Sequence, residues 1–163
     1  KKTSSAKTKT ETETKTPEEI EAETRRLCDH GFLSLREAQA VDVKAVKKLF
    51  DSPLGQRMKS CEKLYREFKF SLLWDAVEVF GKAPGEQLLL QGVVDCCFET
   101  EDGITVVDFK TDRVFTEEEL TERAELYRGQ LSAYTLALER VLERPVTRRG
   151  LYFLSVGRAV EVS

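Results

Sequence analysis

Apolar residues recur along this chain with two different periods, and the change from one to the other divides it. Between Pro17 and about Cys61, Ile20, Leu27, Leu35, Val46, Leu49, Phe50, Leu54 and Met58 stand among charged residues at helical intervals. Local start signals cut this stretch into pieces. Thr16-Pro17-Glu18-Glu19 reads as N-cap, first-turn proline and capping-box glutamate, which predicts a helix from Pro17 to about Asp29, ended by Gly31. Ser34-Leu35-Arg36-Glu37 caps a short second helix, Asp42 opens a third through Phe50, and Ser52-Pro53 opens a fourth through about Cys61. Strand-like alternation begins at Tyr65 and runs to about Leu72. The segment from Leu73 to Glu86, with Trp74, Gly81, Pro84 and Gly85, is predicted to be a connection holding a short helix.

Two β-branched runs follow, over Gln87–Phe98 and Ile104–Lys110, joined by Glu101-Asp102-Gly103, a hairpin signal. Thr116 then caps a long helix predicted to continue to about Leu142, with Glu119 completing its capping box. Leu120, Ala124, Tyr127, Leu131, Tyr134, Leu138 and Val141 form one stripe along it. Strands over Gly150–Val156 and Ala159–Val162 complete the pattern. Helices first, strands in a run, then helix and strand predict an α/β fold: a mixed sheet flanked by helices, with an N-terminal helical lead-in.

Composition narrows the class. The 163 residues are 40% hydrophobic and 34% charged, enough for one domain with a core and a heavily charged surface. Lys1 to Thr16 is almost wholly Lys, Thr, Ser and Glu, so residues 1–16 read as a tail or linker and 17–163 as the folded domain. Cys28, Cys61, Cys96 and Cys97 lack metal-binding spacing and sit in apolar contexts, as expected of free thiols in a reducing compartment. No stretch approaches a membrane span, and Gly81-Lys82 lacks the rest of a phosphate-binding loop. A net charge of −3 is not that of a typical basic nucleic-acid binder. Two local basic groups, Lys44, Lys47, Lys48, Arg57, Lys59, Lys63 and Arg140, Arg144, Arg148, Arg149, are candidates for phosphate contact.

The chemistry concentrates in the hairpin. Asp95 lies in the first strand, and Asp108-Phe109-Lys110 ends the second. Alternation puts Asp108 and Lys110 on one face and Phe109 on the other. If Asp95 shares that face, two carboxylates and an ammonium converge. Paired carboxylates repel unless a cation joins them, and hard oxygen donors suit Mg²⁺, which offsets charge developing on a phosphoryl group. Gln130 and Tyr134 stand one turn apart on the long helix and can meet on its edge.

Together, Gly92-Val93-Val94-Asp95, Asp108-Phe109-Lys110-Thr111-Asp112 and Tyr127-Arg128-Gly129-Gln130-Leu131-Ser132-Ala133-Tyr134 resemble the RecB-type branch of the PD-(D/E)XK nucleases. Arg66-Glu67-Phe68-Lys69-Phe70 is similar to that branch's Arg-Glu-x-x-Phe strand, and Phe50 to Met58 resembles the lead-in of AddA-type helicase–nuclease subunits. The resemblance covers about residues 17 to 163. It implies a restriction-endonuclease-like fold and DNA as substrate. Asp95, Asp108 and the Phe109 carbonyl become metal ligands, Lys110 the catalytic lysine, and Gln130 and Tyr134 accessory catalytic residues. Glu67 becomes either an outer carboxylate or a strand anchor. It further implies Mg²⁺ or Mn²⁺, and ATP used only by a helicase domain upstream; the iron–sulfur cluster that some relatives carry is not expected, because no cysteine follows Cys97. The implied partner is an AddB-like nuclease subunit, and the implied role is cytoplasmic, at double-strand-break ends in recombinational repair. The branch's usual Gly-Thr-x-x-His helix has no counterpart: the one histidine, His30, follows Cys28-Asp29 at a predicted helix end. The chain therefore reads as a fragment lacking that helix. A non-catalytic DNA-binding module on the same fold, and a stand-alone nuclease of the same branch, remain the alternatives.

Overall fold

The computed structural model describes residues 15–75, 77, 81 and 85–162. The tail expected over 1–16 lies outside the described residues apart from Lys15 and Thr16, as does half of the connection predicted to hold a short helix. The lead-in is four helices: α1 (Pro17–Asp29), α2 (Leu35–Ala40), α3 (Val43–Asp51) and α4 (Pro53–Ser60). Their starts follow from the capping residues read in the sequence. The Thr16 hydroxyl accepts from Glu19 N at 3.3 Å while Thr16 N donates to the Glu19 carboxylate at 2.7 Å. Ser34 and Glu37 repeat the exchange at 3.2 and 2.8 Å. Asp42 and Ser52 cap α3 and α4. At the far end of α1, His30 is the C-cap and Gly31 turns left-handed at φ +73°, so the histidine terminates a helix.

Five strands make one sheet in sequential order: β1 (Lys63–Asp75), β2 (Gln87–Thr100), β3 (Gly103–Lys110), β4 (Val146–Phe153) and β5 (Arg158–Glu161). Only β3 and β4 are parallel, so the sheet is mixed as expected. The crossover between them holds α5 (Glu117–Leu126) and α6 (Arg128–Leu142). Two predicted boundaries need correction. β1 runs through Trp74 to Asp75, because its hairpin partner β2 supplies Leu88 and Gln87 opposite. β4 starts four residues earlier than predicted, at Val146, and ends at Phe153, before the turn to β5.

The single long helix predicted from Thr116 is also corrected. It breaks at Tyr127, whose N–H turns tightly back to Ala124 O at 3.2 Å before Leu131 N resumes the ladder to Tyr127 O at 3.1 Å. The apolar stripe survives the break, with Leu120, Ala124, Leu131, Tyr134 and Leu138 buried. Val141 instead points outward at 43% exposure, and Ala137 takes the inner position.

The sheet separates two apolar clusters. Val106, Leu131, Ala137, Leu138, Leu151 and Phe153 centre the one beneath α6. On the opposite face Cys96, Phe98, Val107 and Tyr152 pack with Leu49 of α3 and with Leu54 and Met58 of α4. The adjacent Cys96 and Cys97 thus point to opposite faces, and all four cysteines are free thiols. Across β1 and β2 the simple alternation fails once. Tyr65 and Phe68, three residues apart, both reach the α6 cluster, as do Val94 and Cys97. An odd separation can share a face only if the strand inverts between. The inversion falls at Glu67, which has φ +48°, and at Asp95 across from it, between the pairs Arg66↔Cys96 and Phe68↔Val94.

Glu99, Thr105 and Asp108 are buried polar residues among those described, and Glu99 belongs to the frame. Glu99, 6% exposed, accepts from Tyr65 Oη at 2.6 Å and from Arg144 Nη1 at 2.7 Å, with Lys63 Nζ at 3.5 Å. Burial alone would push its carboxyl up, but the Tyr65 and Arg144 hydrogen bonds and the Lys63 and Arg144 charges bring it below the ordinary value. Its burial and the Glu99 hydrogen bond carry the Tyr65 phenol up to about 12. A depressed folded-state pKa contributes stability above the unfolded value of about 4.3, and that contribution fades as pH falls through the folded value. Chemical denaturation at pH 7 and pH 3 is expected to show a smaller loss of stability for Glu99→Gln than for the unaltered chain.

Candidate active site

The site is created where the sheet forks. β2 pairs with β3 only from Thr100↔Gly103 to Cys96↔Val107; from Val94 back to Gln87 it pairs with β1 alone. β3 continues beside β4 as far as Lys110↔Phe153. A gap therefore opens between Asp95 and Asp108. Asp95 bridges its apex: its Oδ2 accepts from Phe109 N at 3.0 Å, satisfying a main-chain donor where the ladder stops. The inversion at Glu67 and Asp95 and the end of the ladder thus coincide.

Asp108 is 2% exposed. Its Oδ2 lies 2.6 Å from Lys110 Nζ, but off the direction of a good hydrogen bond, so this buried oxygen has a charge beside it and no aligned donor. Burial pushes the Asp108 carboxyl above the usual carboxylate range; Lys110 opposes the shift and the negative charge of Asp95 adds to it. Lys110 Nζ donates to Gln130 Oε1 at 3.0 Å, and Gln130 Nε2 donates to Tyr134 Oη at 2.8 Å. Burial, then the charge of Asp108, raises the Tyr134 phenol. The Tyr134 ring meets Phe70 of β1 edge to face, with centroids 6.1 Å apart. Asp95, Asp108, Phe109, Lys110, Gln130 and Tyr134 thus belong to one connected set. Glu67 is exposed at the register position across from Asp95, where it marks the inversion of β1.

Two further residues join the set. The Tyr127 ring lies under Lys110 Nζ at 3.6 Å from its centroid, and its hydroxyl donates to Asp112 Oδ2 at 3.1 Å. Arg123 Nη1 stands 3.8 Å from Asp112 Oδ1. Tyr127 and Asp112 both lie within the quoted motifs, yet Tyr127 also fits the apolar stripe, where packing is the simpler reading.

The side-chain donors that the structure brings to the fork are oxygens, the carboxylates of Asp95 and Asp108. Among the described residues no group of three or more His, Cys, Asp or Glu side chains is gathered as a metal cluster. The buried Asp108 oxygen without an aligned donor, beside a second carboxylate, fits a hard divalent cation. Most of the basic residues named in the sequence serve the fold instead. Arg57 donates to Thr105 Oγ1 at 3.1 Å and sits over Phe98. Lys47 pairs with Asp51, Lys48 with Val156 O, Arg140 with the Trp74 ring and Arg149 with Val162 O.

A sequence model of the PD-(D/E)XK nuclease superfamily matches residues 3–161. The chain belongs to that superfamily. Its mixed five-stranded sheet with flanking helices is the restriction-endonuclease-like arrangement of the group. Among curated proteins it is similar to the AddA-type ATP-dependent helicase/nuclease subunit of Heliobacterium modesticaldum, 37% identical over 145 residues, covering 85% of this chain and 10% of that protein. The corresponding protein from Carboxydothermus hydrogenoformans is 36% identical, covering 88% and 12%. That from Bacillus mycoides is 35% identical over 156 residues, covering 89% and 12%. The chain thus spans about a tenth of the length of these relatives.

The glycine of the nuclease strand has a steric reason. A Cβ on Gly92 would lie 2.7 Å from Phe70 Cζ and 3.5 Å from Tyr134 Cε1. Gly92→Ala is expected to displace this aromatic pair and cost about 1–3 kcal/mol, read as a lower midpoint in urea denaturation, with weaker near-ultraviolet dichroism from the tyrosines.

Proposed function

We propose that this chain is a Mg²⁺-dependent DNA nuclease domain, working within a helicase–nuclease polypeptide like those it resembles. The observation that carries the reading is the convergence in the fork of Asp95 and Asp108 with a lysine already held by Gln130. Asp95, Asp108 and the Phe109 carbonyl would hold the ion. When bound, a divalent ion at such a site offsets charge on a phosphoryl group and acidifies water.

The remaining work falls to the chain's own side chains. Lys110 brings a fixed positive charge and N–H donors to the place where a phosphate would lie, and such preorganised donors favour charge that develops in the transition state. Gln130 accepts a hydrogen bond from the ammonium, and Tyr134 holds Gln130. Because the lysine is fixed before substrate arrives, little reorganisation accompanies the reaction. Nothing in this arrangement reads base edges, which accords with a substrate recognised through its phosphate backbone. The wider role that the resemblance supports is action on broken DNA ends for recombinational repair, downstream of an ATP-driven motor and beside an AddB-like nuclease partner.

The test uses the complete protein with linear duplex DNA, ATP and Mg²⁺. Asp108→Ala and Lys110→Ala are each expected to lower cleavage of one strand by about 10²–10³-fold while strand separation continues. In calorimetry, Asp95→Ala should remove the heat of Mg²⁺ or Mn²⁺ binding seen with the unaltered protein. Undiminished cleavage of both strands by the Asp108 or Lys110 variants would overturn the assignment.

A further inference from the structure

Lys110 is contacted from three directions. Asp108 Oδ2 lies at 2.6 Å, Gln130 Oε1 at 3.0 Å, and the face of the Tyr127 ring at 3.6 Å from Nζ. The third contact is of a different kind, because the negative face of an aromatic ring attracts a cation without offering a lone pair or competing for its protons. The Tyr127 ring is itself held at both ends. Its backbone stands at the break between α5 and α6, and its hydroxyl is anchored on Asp112, two residues beyond Lys110 on the same chain segment. Arg123, one helical turn before Tyr127, stands against the same Asp112 carboxylate. The ammonium, the ring and the carboxylate thus form a closed loop joining the end of β3 to the helix break.

The break has a local consequence that ties it to this loop. Had α5 and α6 run on as one helix, Tyr127 would have had ordinary helical dihedrals; it has φ −93° and ψ −1° instead. Its side chain is only partly buried and shifts toward the rim of the apolar cluster, where it reaches Lys110 and Asp112. A residue whose only task was to fill the core would need neither the break nor a carboxylate on its hydroxyl.

We propose that Tyr127 is a positioning residue for Lys110, its ring face seating the ammonium over the fork; the helix break at its backbone, and not the Asp112 hydrogen bond, sets where that face lies. The inference rests on the nuclease reading for its kinetic consequence, but the seat itself is a structural claim that stands or falls separately. A seated lysine matters to turnover and not to capture of DNA, so the effect belongs in kcat and not in KM. The ring is the working part. Phenylalanine should keep the seat, whereas leucine, of similar apolar character but without a quadrupole, should lose it.

The experiment compares Tyr127→Leu, Tyr127→Phe and Asp112→Ala in the complete protein, using Mg²⁺ and linear DNA. Tyr127→Leu is expected to lower kcat about tenfold at unchanged KM and unchanged half-saturating Mg²⁺, with Tyr127→Phe and Asp112→Ala each within about threefold of the unaltered protein. The second readout needs no activity. With ¹³C at lysine Cε, and the signal assigned through Lys110→Arg, the Lys110 protons should be shifted upfield by the ring current, kept so in Tyr127→Phe and released in Tyr127→Leu. Thermal denaturation identifies any variant that has failed to fold, and Tyr127→Phe then carries the comparison. A Tyr127→Leu protein that cleaves at the full rate, a Tyr127→Phe protein as slow as the leucine variant, or a Lys110 signal with no upfield shift would each overturn the proposal. An unaltered protein that cleaves no DNA would instead overturn the nuclease reading, leaving the Lys110 signal to decide the seat.

Discussion

The hydrogen bond from Phe109 N to the Asp95 carboxylate is the constraint around which the site is arranged. A sheet that splits must leave main-chain donors and acceptors facing a gap, and a buried unpaired N–H is costly. Here a side chain satisfies the donor at the apex. That one bond fixes Asp95 against β3, lets β2 leave with β1, and keeps Asp108 beside an opening while it remains almost wholly buried.

The electrostatics follow from that opening. Burial, and after it the neighbouring charge of Asp95, raises the Asp108 carboxyl. Lys110 lies close enough to relieve the repulsion, yet not along the line of a good hydrogen bond to Asp108. Its aligned bond goes to Gln130 and its ring contact to Tyr127. The lysine is thereby retained at the site by neutral groups, so neutralising Asp108 would not by itself release it.

Much of this was legible in the sequence, because it is encoded by neighbours in the chain. The capping boxes at Thr16 and Ser34, the turn before Gly103, and the spacing of Gln130 from Tyr134 are all signals carried within a few residues. What escaped was set by distant contacts. In Val93-Val94-Asp95-Cys96-Cys97-Phe98 five of six residues are apolar, so alternation could not show that the strand inverts at Asp95, nor that Glu67 inverts its partner to match. The break at Tyr127 left the apolar stripe in phase and therefore left no trace in the periodicity. The extension of β1 to Asp75 depended on the partner strand across the hairpin. The basic groups were visible, but their assignment was not: a run of arginines reads alike whether it faces solvent or is held by Thr105, Glu99 and Trp74.

The interruption between α5 and α6 separates two helices with different tolerances. Contacts of α5 with the site run through Arg123 and the residues leading to the break, so a change in its length further upstream can be taken up by the loop before Thr116. In α6 there is no such slack. Each residue advances the helix by about 100°, so one inserted or removed between Gln130 and Tyr134 would rotate one of them out of reach of its partner. Natural variation in length should therefore collect ahead of Tyr127, and the four-residue interval behind it should keep its count.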